Sequence, residues 1–465
     1  MRRMRPLGEV PTRRERIVRA ALVAGVIVLA LLLLLATCGG PAAKTGSGRE
    51  GKATTTTGTK ATVPSASSAP RLPQLPVPAT YDTARGWDII DGSPGYAVAE
   101  DTGLVAYLDR TDDDRYLIRT VDPATGKPGW SGEPRRTLFP PDRFPRLLPV
   151  TTGDNREYFV TWSYGRINRG PGQPSDAIVS LDIYSATDGS ARRVELPWAD
   201  APKVTTWGPG VLISDGKATS TVVDPVSGDV VSVPPGALGY PKGCTECRKL
   251  TQVRGTTDKG LLVSGAKEFW VRGGWYSRKV APKDTDAASG VPASMAGGYI
   301  LATWQKKKGA KDARTHEVWA LHDAATGKAV LQVGCRKPAI TPADEPQLVV
   351  SPKGDHLVAG RLAFDLAGKR AYCFEEEDGT RPLTLATVAD DGTAYGARSA
   401  RNAADALAGG GSAPVTVDLT TATPETLALN VRLPGAEIAG VGLFRWTDGR
   451  DRSHLTGYPH RDDWS

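Results

Sequence analysis

The sequence predicts an all-β protein: a single β-propeller of eight four-stranded blades, with seven as the alternative, behind an N-terminal membrane segment and a linker. Three observations predict it. Past Tyr81 the chain is cut into short alternating apolar runs by Gly, Asp and Pro, and its 465 residues include 52 Gly and 36 Pro, a composition that favours turns over long helices. A strand-then-turn pattern recurs seven times at steps of 42 to 60 residues, and a period of about fifty with four short strands per unit is the signature of a propeller. Seven units from Val98 to Asn430 leave Ile438 to His460 over, with G-V-G-L-F-R-W and S-H-L-T-G-Y as strands. Residues near Tyr81 to Asp91 would complete that last sheet, so that the first and last segments close the ring together.

In chain order, residues 1–19 form a basic region expected to stay in the cytoplasm, with Arg2, Arg3, Arg5, Arg13, Arg14, Arg16 and Arg19. Residues 20–38 follow as an uncharged, mostly apolar run, A-A-L-V-A-G-V-I-V-L-A-L-L-L-L-L-A-T-C. At about 1.5 Å per residue it just crosses a hydrocarbon core of about 30 Å. Two readings stand: an uncleaved signal anchor, or a lipoprotein signal in which Leu35-Ala36-Thr37-Cys38 resembles a lipobox and Cys38 carries the lipid. Thr37 and the length of the run favour the anchor. Either places the remainder of the chain outside the cytoplasm. Residues 39–80 are rich in Ser, Thr, Pro and Gly, show no apolar periodicity, and read as a disordered linker with a reach on the order of 35 Å.

Residues 81–465 are the propeller. Its repeats are Y-L-I-R-T-V-D-P-A-T-G at Asp122, I-V-S-L-D-I-Y-S-A-T-D-G at Asp182, T-S-T-V-V-D-P-V-S-G at Asp224 and a divergent E-F-W-V-R-G-G-W near Gly273. They continue with V-W-A-L-H-D-A-A-T-G at Asp323, L-A-F-D-L-A-G-K at Asp365 and P-V-T-V-D-L-T-T at Asp418. Alternation of apolar and polar residues half-buries each strand. The Asp carboxylate accepts from the next backbone N–H groups, and Gly126, Gly228 and Gly327 supply the positive φ that closes the hairpin. A second hairpin recurs in V-V-S-P-K-G-D-H-L-V-A-G and T-V-A-D-D-G-T-A-Y-G.

The D-x-x-[T/S]-G-x-x-x-W unit resembles the repeat of quinoprotein-like propellers, the fold of pyrroloquinoline-quinone dehydrogenases, and S-P-K-G-D-H looks like the S-P-D-G turn of other bacterial propellers. The resemblance covers most of residues 95–435 and implies fold more than function. Enzymes of that kind hold a quinone and Ca²⁺ in the channel, use an Asp base, and repeat a terminal tryptophan that locks neighbouring blades. Here the repeat pattern keeps that tryptophan only at Trp130; Ser232 and Leu331 stand at the corresponding places. No residue matches the base or the metal ligands, so the resemblance implies a non-catalytic type, and no cofactor is expected.

Charge narrows the partners. The formal +7 comes from the first 80 residues, where 12 Lys and Arg face 3 Asp and Glu; residues 81–465 hold 46 against 48, which gives no electrostatic ground for nucleic-acid binding. No nucleophile elbow, phosphate loop or zinc-protease motif is present. The five histidines, His316, His322, His356, His454 and His460, lack metal-ligand spacing and read as surface positions. Asp112-Asp113-Asp114 reads as a solvated hairpin, with a calcium loop as the lesser alternative. Glu375-Glu376-Glu377-Asp378 and Lys306-Lys307-Lys308 read as solvated loops or as oppositely charged binding surfaces. Trp162, Trp207, Trp270, Trp275, Trp304 and Trp319 read mostly as packing between blades, with a carbohydrate- or peptide-binding face as the alternative for some.

Besides Cys38, four cysteines remain, Cys244, Cys247, Cys335 and Cys373, an even number that implies disulfides in an exported domain. Of three possible pairings, Cys244–Cys247 as a loop staple and Cys335–Cys373 between neighbouring outer strands is preferred. The whole is expected to be a membrane-tethered, extracytoplasmic binding or scaffolding module of a bacterial cell surface, with an envelope protein or surface ligand as partner; the Ala, Gly and Arg richness fits an actinobacterial source. The competing readings are a propeller enzyme, quinone-dependent or acting on cell-wall carbohydrate, and an accessory or sensor subunit docking an envelope protein.

Overall fold

A computed structural model describes residues 72–91, 95–111, 113, 115–138, 145–167, 176–338, 345–375 and 381–461. The expected basic region, membrane segment and Cys38, the linker up to residue 71, and Asp112, Asp114, Glu376, Glu377 and Asp378 lie outside the described residues. Among the described residues no helix is long and apolar enough to cross a membrane.

The strands form eight separate antiparallel sheets, six of four strands, one of five and one of three. The chain is an eight-bladed propeller. The innermost strands of blades one to eight are Tyr96–Ala99, Arg146–Thr151, Lys203–Thr205, Gln252–Thr257, Val291–Ala296, Val349–Val350, Leu383–Val388 and Ala436–Ile438. Blade one gains a fifth strand, Arg135–Arg136, beside Arg115–Val121. Blade four, the divergent repeat, stops at Phe269–Val271 and lacks an outer strand.

Packing explains why the sheets form a ring. The second and third strands of each blade are buried on both faces, as in Ile178–Tyr184 and Leu362–Asp365, so every sheet needs a neighbour on each side. The described core accordingly falls into eight apolar clusters, one at each seam between successive blades, with a small ninth under the short helix Ala403–Leu407.

The last seam is closed by the start of the chain. Trp87–Asp91 pairs with Ser453–Pro459 as the outer strand of blade eight, as the sequence led one to expect. Asp88 accepts from Thr456 at 2.6 Å and pairs with His454 at 2.9 Å. Ahead of it, residues 72–80 belong to the folded body rather than to the linker. Leu72, Leu75 and Val77 pack on the seam of blades seven and eight beside Tyr81, and Arg432 N–H donates to Pro76 O at 2.8 Å.

A latch recurs between blades. Nε1 of Trp87, Trp130 and Trp275 donates to Pro123 O (2.7 Å), Ala186 O (2.8 Å) and Ala324 O (3.0 Å) in the turn of the following blade. Arg192 and Arg370 reach Val226 O and Thr420 O in the same way. The turn glycine has a second reason to be glycine. A Cβ on Gly126, Gly189 or Gly327 would lie 2.5, 2.7 or 2.3 Å from the latching ring, and φ at these residues is +68°, +72° and +74°. Trp130 is therefore one of three latching tryptophans, which corrects the expectation that the first repeat alone retains one.

Of the turn residues, Asp122, Asp224, Asp323, Asp365 and Asp418 each accept from backbone N–H groups two or three residues on. Asp182 does not. It lies inside the strand Ala177–Ser185, bidentate to Arg193 at 2.9 Å, and the turn falls at Ser185–Gly189.

Trp87→Ala is expected to cost about 3–5 kcal/mol in urea unfolding. Gly327→Ala should cost less in a Trp275→Ala background than in the wild type, because its clash is with ring atoms of Trp275 that the alanine lacks; costs that add within about 0.5 kcal/mol would rule the latch out as a coupled contact.

Candidate functional site

The turns joining the first to the second strand of each blade all emerge at one mouth of the ring. These eight turns carry seven acids, Glu100, Asp101, Asp154, Asp258, Asp355, Asp390 and Asp391, against three cations, Arg156, Lys259 and Lys353. Some of the acids serve their own turn: Asp391 accepts from Thr393 N–H at 2.8 Å, and Asp154 pairs with Arg156. Two acids at this mouth join blades. Glu157, which opens the second strand of blade two, accepts from Asp101 N–H (3.1 Å), Thr102 N–H (2.6 Å) and Thr102 Oγ1 (2.6 Å) in blade one. Asp390 of blade seven accepts from Lys353 N–H of blade six at 2.7 Å.

Between them stands Glu437, on the innermost strand of blade eight and 5% exposed. It accepts from the Tyr81 hydroxyl and lies 3.3 Å from His460 Nε2. Burial, then Glu437 and Tyr395, hold the Tyr81 hydroxyl far above its ordinary range. The hydrogen bond to Glu437, aided by the Asp391 and Asp390 carboxylates against the cost of burial, raises His460. Glu100 lies at the centre of the cluster. Crowding by protein withholds solvent from its carboxyl, and the carboxylates of Glu157, Asp390, Asp101 and Glu437 add to that, pushing it up to about 8 although the residue still reaches the surface. Burial and the carboxyl groups that four blades bring to this mouth thus both favour the protonated form of Glu100. The arrangement can accept positive charge and release a proton as it does so.

None of these acids stood out in the sequence. They are spread over several repeats, and only closure of the ring gathers them. The histidine expectation is corrected as well: His322, His356 and His454 are buried, at 0%, 8% and 4% exposure. His322 accepts from Trp304 Nε1 at 3.2 Å and its Nδ1 faces Gly327 O at 2.8 Å, and burial pushes it down to about 4. It is a neutral core residue under a latch turn. Trp304 and Trp270 are buried at blade seams, in keeping with packing. Lys306, Lys307 and Lys308 emerge at the opposite mouth, where Lys306 pairs with Asp312. Glu375 lies at that same mouth, bonded to Arg336 N–H. Cys244 is joined to Cys247, and Cys335 to Cys373 across the outer strands of blades five and six.

The raised carboxyl gives a signed prediction. Glu100 is protonated more readily folded than unfolded, so its contribution to stability is intact below its unfolded value near pH 4.5 and is lost as pH rises toward about 8. Glu100→Gln should therefore gain on the wild type progressively across that window and hold a constant lead above it. His460 behaves with the same sign: His460→Gln should cost more at pH 5.5 than at pH 8.5 in urea unfolding series. A flat difference for either variant would remove that residue from the coupled cluster.

No protein-family model matches the chain, and no curated protein matches it. Among solved structures it is similar to the β-propeller domain of the Trilobed protease from Pyrococcus furiosus, described as having an open velcro topology, at 11% identity over 74% of this chain and 98% of that one, with a TM-score of 0.32.

Proposed function

We propose that the chain is a non-enzymatic binding or scaffolding propeller, held at the bacterial surface by its N-terminal segment, whose acidic mouth engages a cationic patch on an envelope protein. The carrying observation is the mouth itself, where the turns between the first and second strands carry seven acids against three cations. Carboxylates held together against their own repulsion store a favourable response to any cation that arrives. A propeller suits this role, since a rigid ring offers turns from every blade to one partner. The latches and Asp-x-x-[T/S]-Gly turns support reading the repeat as quinoprotein-like, in a form that binds rather than catalyses. The apolar run at residues 20–38, as signal anchor or through lipid on Cys38, supplies the membrane attachment in this reading, and no nucleic acid is involved.

The test uses the full chain in detergent and a fluorescent oligolysine as the probe. Binding is expected to weaken steeply between about 50 and 200 mM salt, to release protons and tighten between pH 6.5 and 8.5, and to fall at least tenfold in the triple variant Asp101→Asn, Asp390→Asn, Asp391→Asn. Equal binding by that variant sinks the acidic mouth as the site. A non-covalent quinone and calcium in native mass spectra would overturn the non-enzymatic reading.

A further inference from the structure

A second cluster, remote from the acidic mouth and independent of it, lies in the loop between blades three and four. Cys244 and Cys247 are bonded there, with Cα atoms 5.4 Å apart, around the short turn Glu246–Arg248. Cys247 N–H points at Cys244 Sγ from 3.1 Å, a contact that favours negative charge on that sulfur. Behind the pair stands Glu268. It is 1% exposed, Arg278 holds its Oε1, and its Oε2 has no hydrogen-bond partner. One carboxylate oxygen and both sulfurs lie within 4.8 Å of one another, and the Tyr276 hydroxyl is 4.0 Å from Cys247 Sγ. The loop is clamped so that this geometry is fixed: Ala266 N–H donates to Glu246 O at 3.2 Å, and a Cβ on Gly265 would meet the Cys247 backbone at 2.6 Å.

A purely structural staple explains little of this. A bridge between residues three apart removes far less chain entropy than the Cys335–Cys373 bridge, which spans 38. An unsatisfied buried carboxylate oxygen is costly, and an apolar residue would support the loop better. We propose that Cys244 and Cys247 form a thiol–disulfide exchange site with Glu268 as its proton carrier, trading electrons with a dithiol on a partner molecule. In the reducing direction a partner thiolate attacks Sγ of Cys244, the residue that retains some exposure, 5% against 0% for Cys247. The Cys244–Cys247 bond breaks, and Cys247 leaves as a thiolate that takes a proton delivered through Glu268. The partner's second thiolate then attacks its own sulfur in the mixed disulfide, closing the partner's disulfide and releasing Cys244, which takes a proton from water. Two electrons and two protons pass from the partner dithiol to the two cysteines. In the reverse direction the Glu268 carboxylate takes the Cys247 proton as that sulfur attacks.

The experiment equilibrates the full chain with dithiothreitol redox buffers and reads each cysteine by alkylation and mass spectrometry, with circular dichroism in parallel. Cys244 and Cys247 are expected to reduce and reoxidise reversibly while Cys335–Cys373 stays joined and the fold is unchanged. Glu268→Gln should slow reduction of the first pair at least tenfold at pH 7 and flatten the pH dependence of its rate, leaving the second pair unaffected; Glu268→Asp should restore part of the rate. Reduction of both bridges at one reductant strength, or of Cys244–Cys247 only as the fold is lost, would return it to a staple. Unchanged kinetics in Glu268→Gln would overturn the proton-carrier role. Should neither Glu268 variant fold, the wild-type redox titration decides by itself whether the pair exchanges.

Discussion

Sheets that are apolar on both faces cannot stand at an edge, and the rest of this structure follows from that. Each blade buries strands such as Leu362–Asp365 completely, so each must be sandwiched, and a row of sandwiched sheets ends without exposed faces only by closing on itself. The core is consequently distributed as eight seams rather than gathered into one centre. The closing seam has the same construction as the others. Trp87 enters the cluster with Val105 and Val121 of blade one and Leu443 and Leu455 of blade eight, while Tyr81 fills the neighbouring seam against Phe444 and Tyr395.

The turns have two consequences from one chemistry. Asp and Gly are chosen because they satisfy and bend the backbone, and the bare Gly126 and Gly327 then admit a tryptophan from the blade behind. The same taste for acidic turn residues at the inner end of five of the blades lines one mouth with carboxylates. Glu157 and Asp390 show how the ring tolerates this: each is anchored by backbone N–H groups of its neighbour. Glu437 is neutralised in part by His460. Glu100, crowded first by protein and then by these carboxylates, responds in its proton affinity.

Local features were legible in the sequence to the extent that they are local. Hairpins at Asp122, Asp224, Asp323, Asp365 and Asp418, the composite last blade and both cysteine pairings follow from spacing and alternation. Asp182 misled because its strand runs three residues further than its relatives and a second Asp-Gly, at Asp188-Gly189, closes the turn. Trp87 carries no signal in the sequence, and Trp275, read there as packing between blades, does not show its latching role, because a latch belongs to the blade behind the turn it enters, so one precedes the first repeat and the other sits in the blade without an outer strand. Residues 72–80 show no periodicity, since an extended strap needs only an occasional Leu or Val to fill a groove. His322 looked exposed from its place beside a turn, but the ring lies beneath Gly327, where Trp275 covers it. The acidic mouth and the Glu268 pairing with Cys244 and Cys247 were invisible for a different reason: they are products of assembly, made by residues that no sequence window contains together.

The pairing of Trp87–Asp91 with Ser453–Pro459 also sets the order of events in folding. Seven blades are built from consecutive residues and can form as the chain emerges, but the eighth waits for the two ends to meet across more than 360 residues. Until then blade one and blade eight each present an apolar face and the strand Ser453–Pro459 an open edge. Such long-range closure is slow, and open edges of this kind invite pairing with other chains. Nascent molecules awaiting their last strand are therefore the form of this protein most exposed to aggregation and to protease, and the speed with which Trp87 finds its seam governs how much of it survives to function.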